Sequence, residues 1–499
     1  MASWLAMERA NPAAGENGHG KAGGLGRRTA LLAAGQALSK GGQLAGALIL
    51  VRVLAPDEWA RMALLVTVYA AATSLGTLNL HQGLVYFAAR TPRAERRQLA
   101  VSSSAMLAAS GAAAAAIVLA AAPFLGESGF DLGAELAWVA LAILFEIPAA
   151  GAAQLLLADE RPGLAALWDV GQAAMLLAAL VAPPLAGLGV RGAALALVGQ
   201  AALRLAAYAT LVARLPGRWR GLGLAHARAQ LRYGLPLGAA LAASALSRQV
   251  DKWLVAALDP DQFGVYAVAA QEVPLLPVLP FAIGAALATR MVRSFQLGRI
   301  ERAADYWLAQ TTRMSVVVVP AAVGVILAGR EIMVLLFTPA YADAALPFQL
   351  YSAILLHRVA EYGLILRAAG ATRALLSSAA LLLLLNAGLG AILTALVGAP
   401  GAAAAALCAH LGSWVWALRC IALALELPFR AVFPWRLYGQ VVAVSATAGA
   451  IAWTAARAVP SSPLARLVLE LAIYGALLAL GFRATRLTTR VSAVPPDDV

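Results

Sequence analysis

Along the chain, apolar runs of about 20 residues alternate with short segments that hold most of the charge. Coiled as a helix, such a run is long enough to span a bilayer. Fourteen runs are readable. The first seven lie near residues 29–54, 62–89, 98–122, 136–158, 163–185, 190–213 and 233–258. The next seven lie near 263–288, 307–328, 346–367, 374–398, 400–424, 437–459 and 464–482. Turn chemistry separates them, as in Ala-Pro-Asp-Glu at 55–58, Asp-Pro-Asp at 259–261 and Gly-Ala-Pro-Gly at 398–401.

The segments between runs test the count. With the first residue on the inner side, the inner segments are 90–97, 159–161, 214–232, 290–302, 367–373, 419–436 and 483–490, and every one holds Arg. The outer segments are 57–58, 127–135, 187–191, 259–261, 330–343, 398–401 and 457–466; these are acidic, neutral or weakly charged. Fourteen helices therefore keep register with the positive-inside rule, and one helix more or fewer would reverse every later sign. The pattern predicts a multi-pass protein with both termini cytoplasmic.

Composition agrees. The chain of 499 residues is 62% hydrophobic and 13% charged, with a mean hydropathy of +0.78. That is far more apolar than a soluble domain, and more than one globular core can hide. The formal charge of +13 is explained by Arg-rich inner segments, so no nucleic-acid partner is expected. Cys408 and Cys420 have no metal or disulfide spacing, and the five histidines (His19, His81, His226, His357 and His410) form no HExxH pattern. Residues 1–28 lack the apolar core of a signal peptide and read as a disordered cytoplasmic tail.

One segment is said twice. Residues 50–63, LVRVLAPDEWARMA, align with residues 254–267, LVAALDPDQFGVYA. The Leu-Val pair, a later Leu, the Pro-Asp pair and the last Ala coincide; Trp59 falls on Phe263 and Glu58 on Gln262. The copies end runs one and seven, so six helices separate them and both point the same way. The expected architecture is an all-α polytopic membrane protein of about 14 transmembrane helices, with two pseudo-symmetric six-helix bundles as parallel repeats plus two C-terminal helices. The divisions are 29–213 for the first lobe, 214–232 for a basic cytoplasmic linker and 233–424 for the second lobe. Residues 425–482 are the last two helices, and 483–499 a cytoplasmic tail.

Charges inside the runs are the candidate chemistry, because they are expensive in a bilayer and usually face a wet interior. Run one carries Lys40 and Arg52. Run seven carries Arg248, Asp251 and Lys252 at i, i+3 and i+4, where Asp251 can neutralise one neighbour. Run ten carries His357, Arg358 and Glu361, spaced to share one helix face, and run four carries Glu146 at similar depth. In run eight, Gln271 and Glu272 precede Pro274, Pro277 and Pro280, which should break the helix. Two readings stay open. The charges either glue helices as ion pairs, Arg248 with Asp251 and Arg358 with Glu361, or form a cationic cavity for an anionic headgroup such as a phosphate. Arg52, and Arg204 of run six, read as snorkelling to an interface. Asp251, Glu146, Glu361, Glu272 and His357 are candidates to hold a coupling proton or sodium ion; no other cofactor is called for.

The stretch AGALILVRVLAPDEWARMALLV resembles the first-helix exit of Wzx-type polysaccharide flippases. RYGLPLGAALAASALSRQVDKWLVAALDPDQFGVYAVA resembles the start of their second half. These belong to the MOP exporter superfamily, with MATE drug exporters and MurJ-type lipid flippases. The resemblance spans residues 29–482 and departs at Ala60-Arg61-Met62, where Gly-x-Tyr is typical. It implies two six-helix bundles arranged as a V, and translocation of an oligosaccharide on undecaprenyl diphosphate across a bacterial inner membrane. It also implies a cavity lined by cations of helices 1, 2, 7 and 8, matched by helix here to Lys40, Arg52, Arg248 and Lys252, with Arg358 added from run ten. Expected partners are membrane lipids, the lipid-linked oligosaccharide, and the polymerase and glycosyltransferases of the same pathway; the transporter itself is expected to act as a monomer. Lipid II flipping and MATE-like export of small cations are the alternatives. An enzyme is not expected, since no outer segment exceeds about 20 residues, far short of a catalytic domain.

Overall fold

The computed structural model describes residues 41–485, apart from 79, 83, 85–86, 89–90, 128, 131, 218–223, 272–274 and 460–461. Lys40, Glu272 and the tail at 1–28 lie outside the described residues. All regular elements described are helical. In chain order they begin with α1 Gly41–Val53, α2 Pro56–Gly76 and α3 Arg96–Glu127. Next come α4 Gly133–Glu146, α5 Ala152–Ala158, α6 Pro162–Leu185 and α7 Gly189–Ala213. The second half opens with α8 Leu224–Leu258, α9 Phe263–Ala269, α10 Leu275–Gln296 and α11 Ile300–Leu327. It continues through α12 Gly329–Phe337, α13 Ala345–Ala353, α14 Tyr362–Ala368, α15 Thr372–Val397 and α16 Ala399–Ala424. Two further helices, α17 Trp435–Ala458 and α18 Pro463–Ala484, close the chain.

Each of the fourteen runs contains helix. Among the described residues nine helical stretches are long and apolar enough to cross a membrane. Runs one, two, seven, eight and ten fall outside that class. Run one is described only from residue 41, and these five include the runs with the candidate cations. Two differences from the sequence expectation are local. Residues 224–232, read as linker, are the first turns of α8, and the outer segment after α11 folds into α12.

Leu384 and Leu396 on α15 and Leu423 on α16 are 69%, 74% and 81% exposed. So much bare apolar surface is the mark of a lipid-facing wall. The hairpin of α15 and α16 turns at Gly398, whose φ of +73° suits only glycine. There the Asp259 Oδ2 accepts the Ala399 N–H at 2.9 Å and caps α16. Asp259, which falls on Ala55 in the repeat alignment, thus ties the end of run seven to run twelve.

The two halves meet unequally. At the Arg-poor end, one apolar cluster runs through both, holding Trp59, Met62 and Ile143 of the first with Phe263, Tyr266 and Phe348 of the second. At the Arg-rich end the halves keep separate clusters, one around Leu84, Leu99 and Tyr208, the other around Trp307, Leu418 and Phe433.

Candidate functional site

Runs two, seven and eight, which carry the repeated segments and much of the polar character, pack on one another where the halves join. At the Arg-poor end the Trp59 indole N–H donates to the Gly264 carbonyl at 3.0 Å. Phe130 and Phe263 stack edge to face at 5.5 Å. Arg52 donates to the Leu335 carbonyl of α12 at 3.1 Å, so this exposed cation reaches across to the second half. Toward the Arg-rich end, among the described residues, α8 carries contact with the first half. Its Gly238 lies so close to the Leu78 carbonyl that a Cβ there would sit 2.1 Å from the oxygen, and Ser103 donates to the Gln230 amide oxygen at 2.6 Å.

On α8 the charges divide between two faces. Arg248 is exposed and donates to the Ser244 hydroxyl at 3.1 Å; Lys252 donates to the Arg248 carbonyl at 3.5 Å. Asp251 is wholly buried and accepts the Tyr266 hydroxyl at 2.7 Å. Its Oδ1 has no hydrogen-bond partner among the described residues. The expected Arg248–Asp251 pair is therefore not made: the helix turns the carboxylate into the α9 packing and leaves both cations on the open side. Nearby, Asn386 of α15 donates to the Ser247 carbonyl at 2.8 Å and holds that turn of α8 in place.

Glu146 is also buried, but its charge is met. Arg204 of α7 ion-pairs with it, and Gln200 donates to it at 3.2 Å and to the Tyr69 hydroxyl at 3.2 Å. Arg204 is 9% exposed; the expected snorkelling does not occur, because a partner carboxylate sits inside the bundle. Near the Arg-poor end Arg61 pairs with Glu135 at 3.4 Å and clamps α2 to α4.

Two runs break at corresponding places. Run four passes from α4 through a 3-10 turn, Ile147–Ala149, into α5. Run ten passes from α13 through Ile354–His357 and a non-helical stretch, 358–361, into α14. His357, Arg358 and Glu361 therefore do not share a helix face. Glu361 pairs with Arg367 at 3.6 Å rather than with Arg358. The carbonyls of the break are taken up by phenols: Tyr438 donates to Leu356 at 2.9 Å and Tyr362 to His357 at 2.5 Å. The buried His357 ring lies 5.6 Å from His410 and 5.8 Å from Trp414, with neither nitrogen hydrogen-bonded among the described residues. Helix α9 of run eight ends at Ala269, ahead of the prolines, and Pro277 and Pro280 lie within α10 instead of breaking it; Pro274 lies outside the described residues. Gln271 folds back to the Ala267 carbonyl at 3.2 Å.

Sequence reasoning missed Tyr266, Tyr362, Tyr438, Tyr69 and Gln200. Tyr69 accepts from Gln200, the others are hydroxyl or amide partners of charges or freed carbonyls, and an aromatic or amide residue within an apolar run was the signal available.

A sequence model of the family described as polysaccharide biosynthesis protein matches residues 25–294, more than half of the chain. No curated protein matches significantly in sequence. Among solved structures the chain is similar to the lipid II flippase MurJ in an inward closed conformation, with TM-score 0.70, 13% identity, and 90% of this chain and 98% of that one covered. It is also similar to an inward-facing multidrug resistance MATE transporter of the MOP superfamily, with TM-score 0.60, 16% identity and coverage of 78% and 96%. A MOP superfamily transporter from Pyrococcus furiosus, described as having a binding pocket of reversed polarity, matches at TM-score 0.54 and 14% identity over 81% and 97%.

Proposed function

This chain belongs to the polysaccharide biosynthesis protein family, is a multi-pass membrane protein with the fold of the MOP superfamily transporters, and from that premise we propose that it flips a lipid-linked oligosaccharide across the bacterial inner membrane. The substrate class is a sugar chain on a polyprenyl diphosphate such as undecaprenyl diphosphate. The observation that carries this reading is the α8 face on which Arg248 is exposed and Lys252 half-buried beside it, neither of them paired with Asp251. Two bare cations at bilayer depth are tolerable only beside a wet cleft, and a diphosphate is the anion such a pair recognises. Lys40 and Arg52 of run one, and Arg358 of run ten, extend the same set.

The mechanism is alternating access. The diphosphate and sugars occupy the cationic cleft while the lipid tail stays in the bilayer, and the halves rock about their two unequal contacts. Asp251 and His357 are the first candidates for a coupling proton or sodium ion, because each is buried with an unmet polar atom. Glu146, already neutralised by Arg204, ranks below them, as does Glu361 beside Arg367; Glu272 completes the set. That neutralisation also weighs against export of small cations, which needs free acidic charge in the cleft. Polymerase and glycosyltransferases would supply and consume the glycolipid.

The test is the sidedness of lipid-linked oligosaccharide in cells lacking the protein, with Lys40→Ala, Arg248→Ala and Lys252→Ala versions returned singly. Accumulation in the inner leaflet, cleared by the native chain and less well by the variants, is expected. Unchanged sidedness overturns the proposal for that glycolipid, and a change confined to lipid II would move the substrate to the cell-wall precursor.

A further inference from the structure

The turn between α10 and α11 is three residues long, with Gly298 at φ +68°. It folds the last turns of α10 against the first turns of α11 at the Arg-rich end of the bundle. Arg290 and Arg293 come from one side, Arg299 and Arg302 from the other. Together with Ser294 and Tyr306 they line a cleft of about 540 Å³. This cleft lies apart from the cations of α1 and α8 and has no part in the transport proposal.

Three features make it a site for an anion rather than a solvated cationic surface. First, none of the four guanidiniums is ion-paired among the described residues. The neighbouring carboxylates, Glu301 and Asp305, are exposed and line no part of the cleft. On α11, Arg302 and Tyr306 share one face at i and i+4; Glu301 lies about 100° from Arg302 and Asp305 about 60° from it, on the side away from Tyr306. Second, the acceptors that would compete for the guanidiniums are already covered. The Leu297 and Arg299 N–H groups take the Arg293 and Ser294 carbonyls at 3.0 and 2.8 Å, and the Ser294 hydroxyl takes the Arg290 carbonyl at 2.9 Å. The carbonyls of Arg290, Arg293 and Ser294 are thereby each already hydrogen-bonded. Third, the cleft adds a helix start and a hydroxyl to the four charges. The N-terminus of the 28-residue α11 faces the same turn, and Tyr306 makes no hydrogen bond among the described residues. Four like charges around one concavity repel one another, and a multiply charged counter-ion relieves them.

We infer that this cleft binds a phosphate-bearing anion, gripped by paired guanidiniums from both helices. A guanidinium matches phosphate bidentately, and two from each side clamp one or two phosphate groups. On the orientation that the Arg-rich segments imply, the cleft opens at the cytoplasmic surface. Two sources offer the chemistry there: the headgroup of an anionic phospholipid, and a soluble phosphate or diphosphate.

The test uses the full chain purified in neutral detergent, reading thermal stability against added probe at fixed ionic strength. The probes are cardiolipin, phosphatidylglycerol, phosphatidylcholine, inorganic phosphate and pyrophosphate, with chloride as control. The native chain is expected to be stabilised by at least one phosphate probe and not by chloride or phosphatidylcholine. In Arg293→Gln/Arg302→Gln, half-saturation should move at least about tenfold higher. Stabilisation by the anionic lipids alone identifies a headgroup site; stabilisation by phosphate or pyrophosphate alone identifies a soluble ligand. Equal stabilisation of native and variant chains, or none with any phosphate probe, overturns the inference. Since the readout is binding, it stands or falls independently of glycolipid flipping.

Discussion

Trp59 donates its indole N–H to the carbonyl of Gly264 at 3.0 Å, joining the repeated segment of the first half to that of the second. In the alignment of the two copies Gly264 falls on Ala60, and a Cβ built on Gly264 would lie 3.2 Å from the Cβ of Ala60. A residue that touches its own repeat mate sits on the axis relating the repeats. Such a position cannot hold two full side chains at this separation, which is why Ala faces Gly here.

That contact should act as the latch of the Arg-poor gate. Trp59→Phe removes one hydrogen bond, worth about 1 kcal/mol net, and should shift the closed-to-open ratio about fivefold. Gly264→Val adds bulk against Ala60 and the Pro56 carbonyl and should open the gate further. Distances between spin labels at Asp57→Cys and Asp261→Cys, with Cys408 and Cys420 replaced by Ser, check both. An unchanged distance distribution in Gly264→Val would mean that this contact does not hold the gate.

The opposite end should respond in the opposite sense. Gly238 approaches the Leu78 backbone with no room for a side chain. Gly238→Leu should therefore separate α8 from α2 and favour a state open at the Arg-rich end. Lacking a shared apolar cluster, this gate should open with a smaller perturbation than the other. Impermeant maleimide applied from each side to a cysteine introduced at Ser103 reports the change.

Glu146 and Arg204 test the polar core of the first half. Removing one partner of a buried pair strands the other charge, at about 3–5 kcal/mol. Arg204→Met should lower the melting temperature sharply, and Glu146→Gln/Arg204→Met should recover most of the loss. Thermal unfolding in detergent measures it; equal melting of the single and double variants would show that the pairing carries no stability.

How much of this was legible follows from the range of the forces involved. The helices were readable because run length and loop charge are local, although Pro277 and Pro280 lie within α10 and do not break it. The break of run ten was not: residues 354–361 hold no proline, and the break is held by hydroxyls of Tyr362 and Tyr438. The Glu146–Arg204 pair links runs four and six, a tertiary fact no spacing encodes. On α8 the spacing misled more subtly. At about 100° per residue, Lys252 lies about 40° to one side of Arg248 and Asp251 about 60° to the other. A burial boundary therefore passes between neighbours that appear to share a face.

Asp251 offers the sharpest functional test. Its Oδ2 takes the Tyr266 hydroxyl, while its Oδ1 is buried with no partner among the described residues. If Asp251 is the coupling group, glycolipid flipping in proteoliposomes should accelerate under an imposed proton or sodium gradient. Asp251→Asn should leave a basal rate that ignores both gradients, whereas Tyr266→Phe, which keeps the carboxylate, should retain a response. A full gradient response in Asp251→Asn would remove this residue from coupling and pass the role to His357, whose His357→Gln variant is then the one to measure.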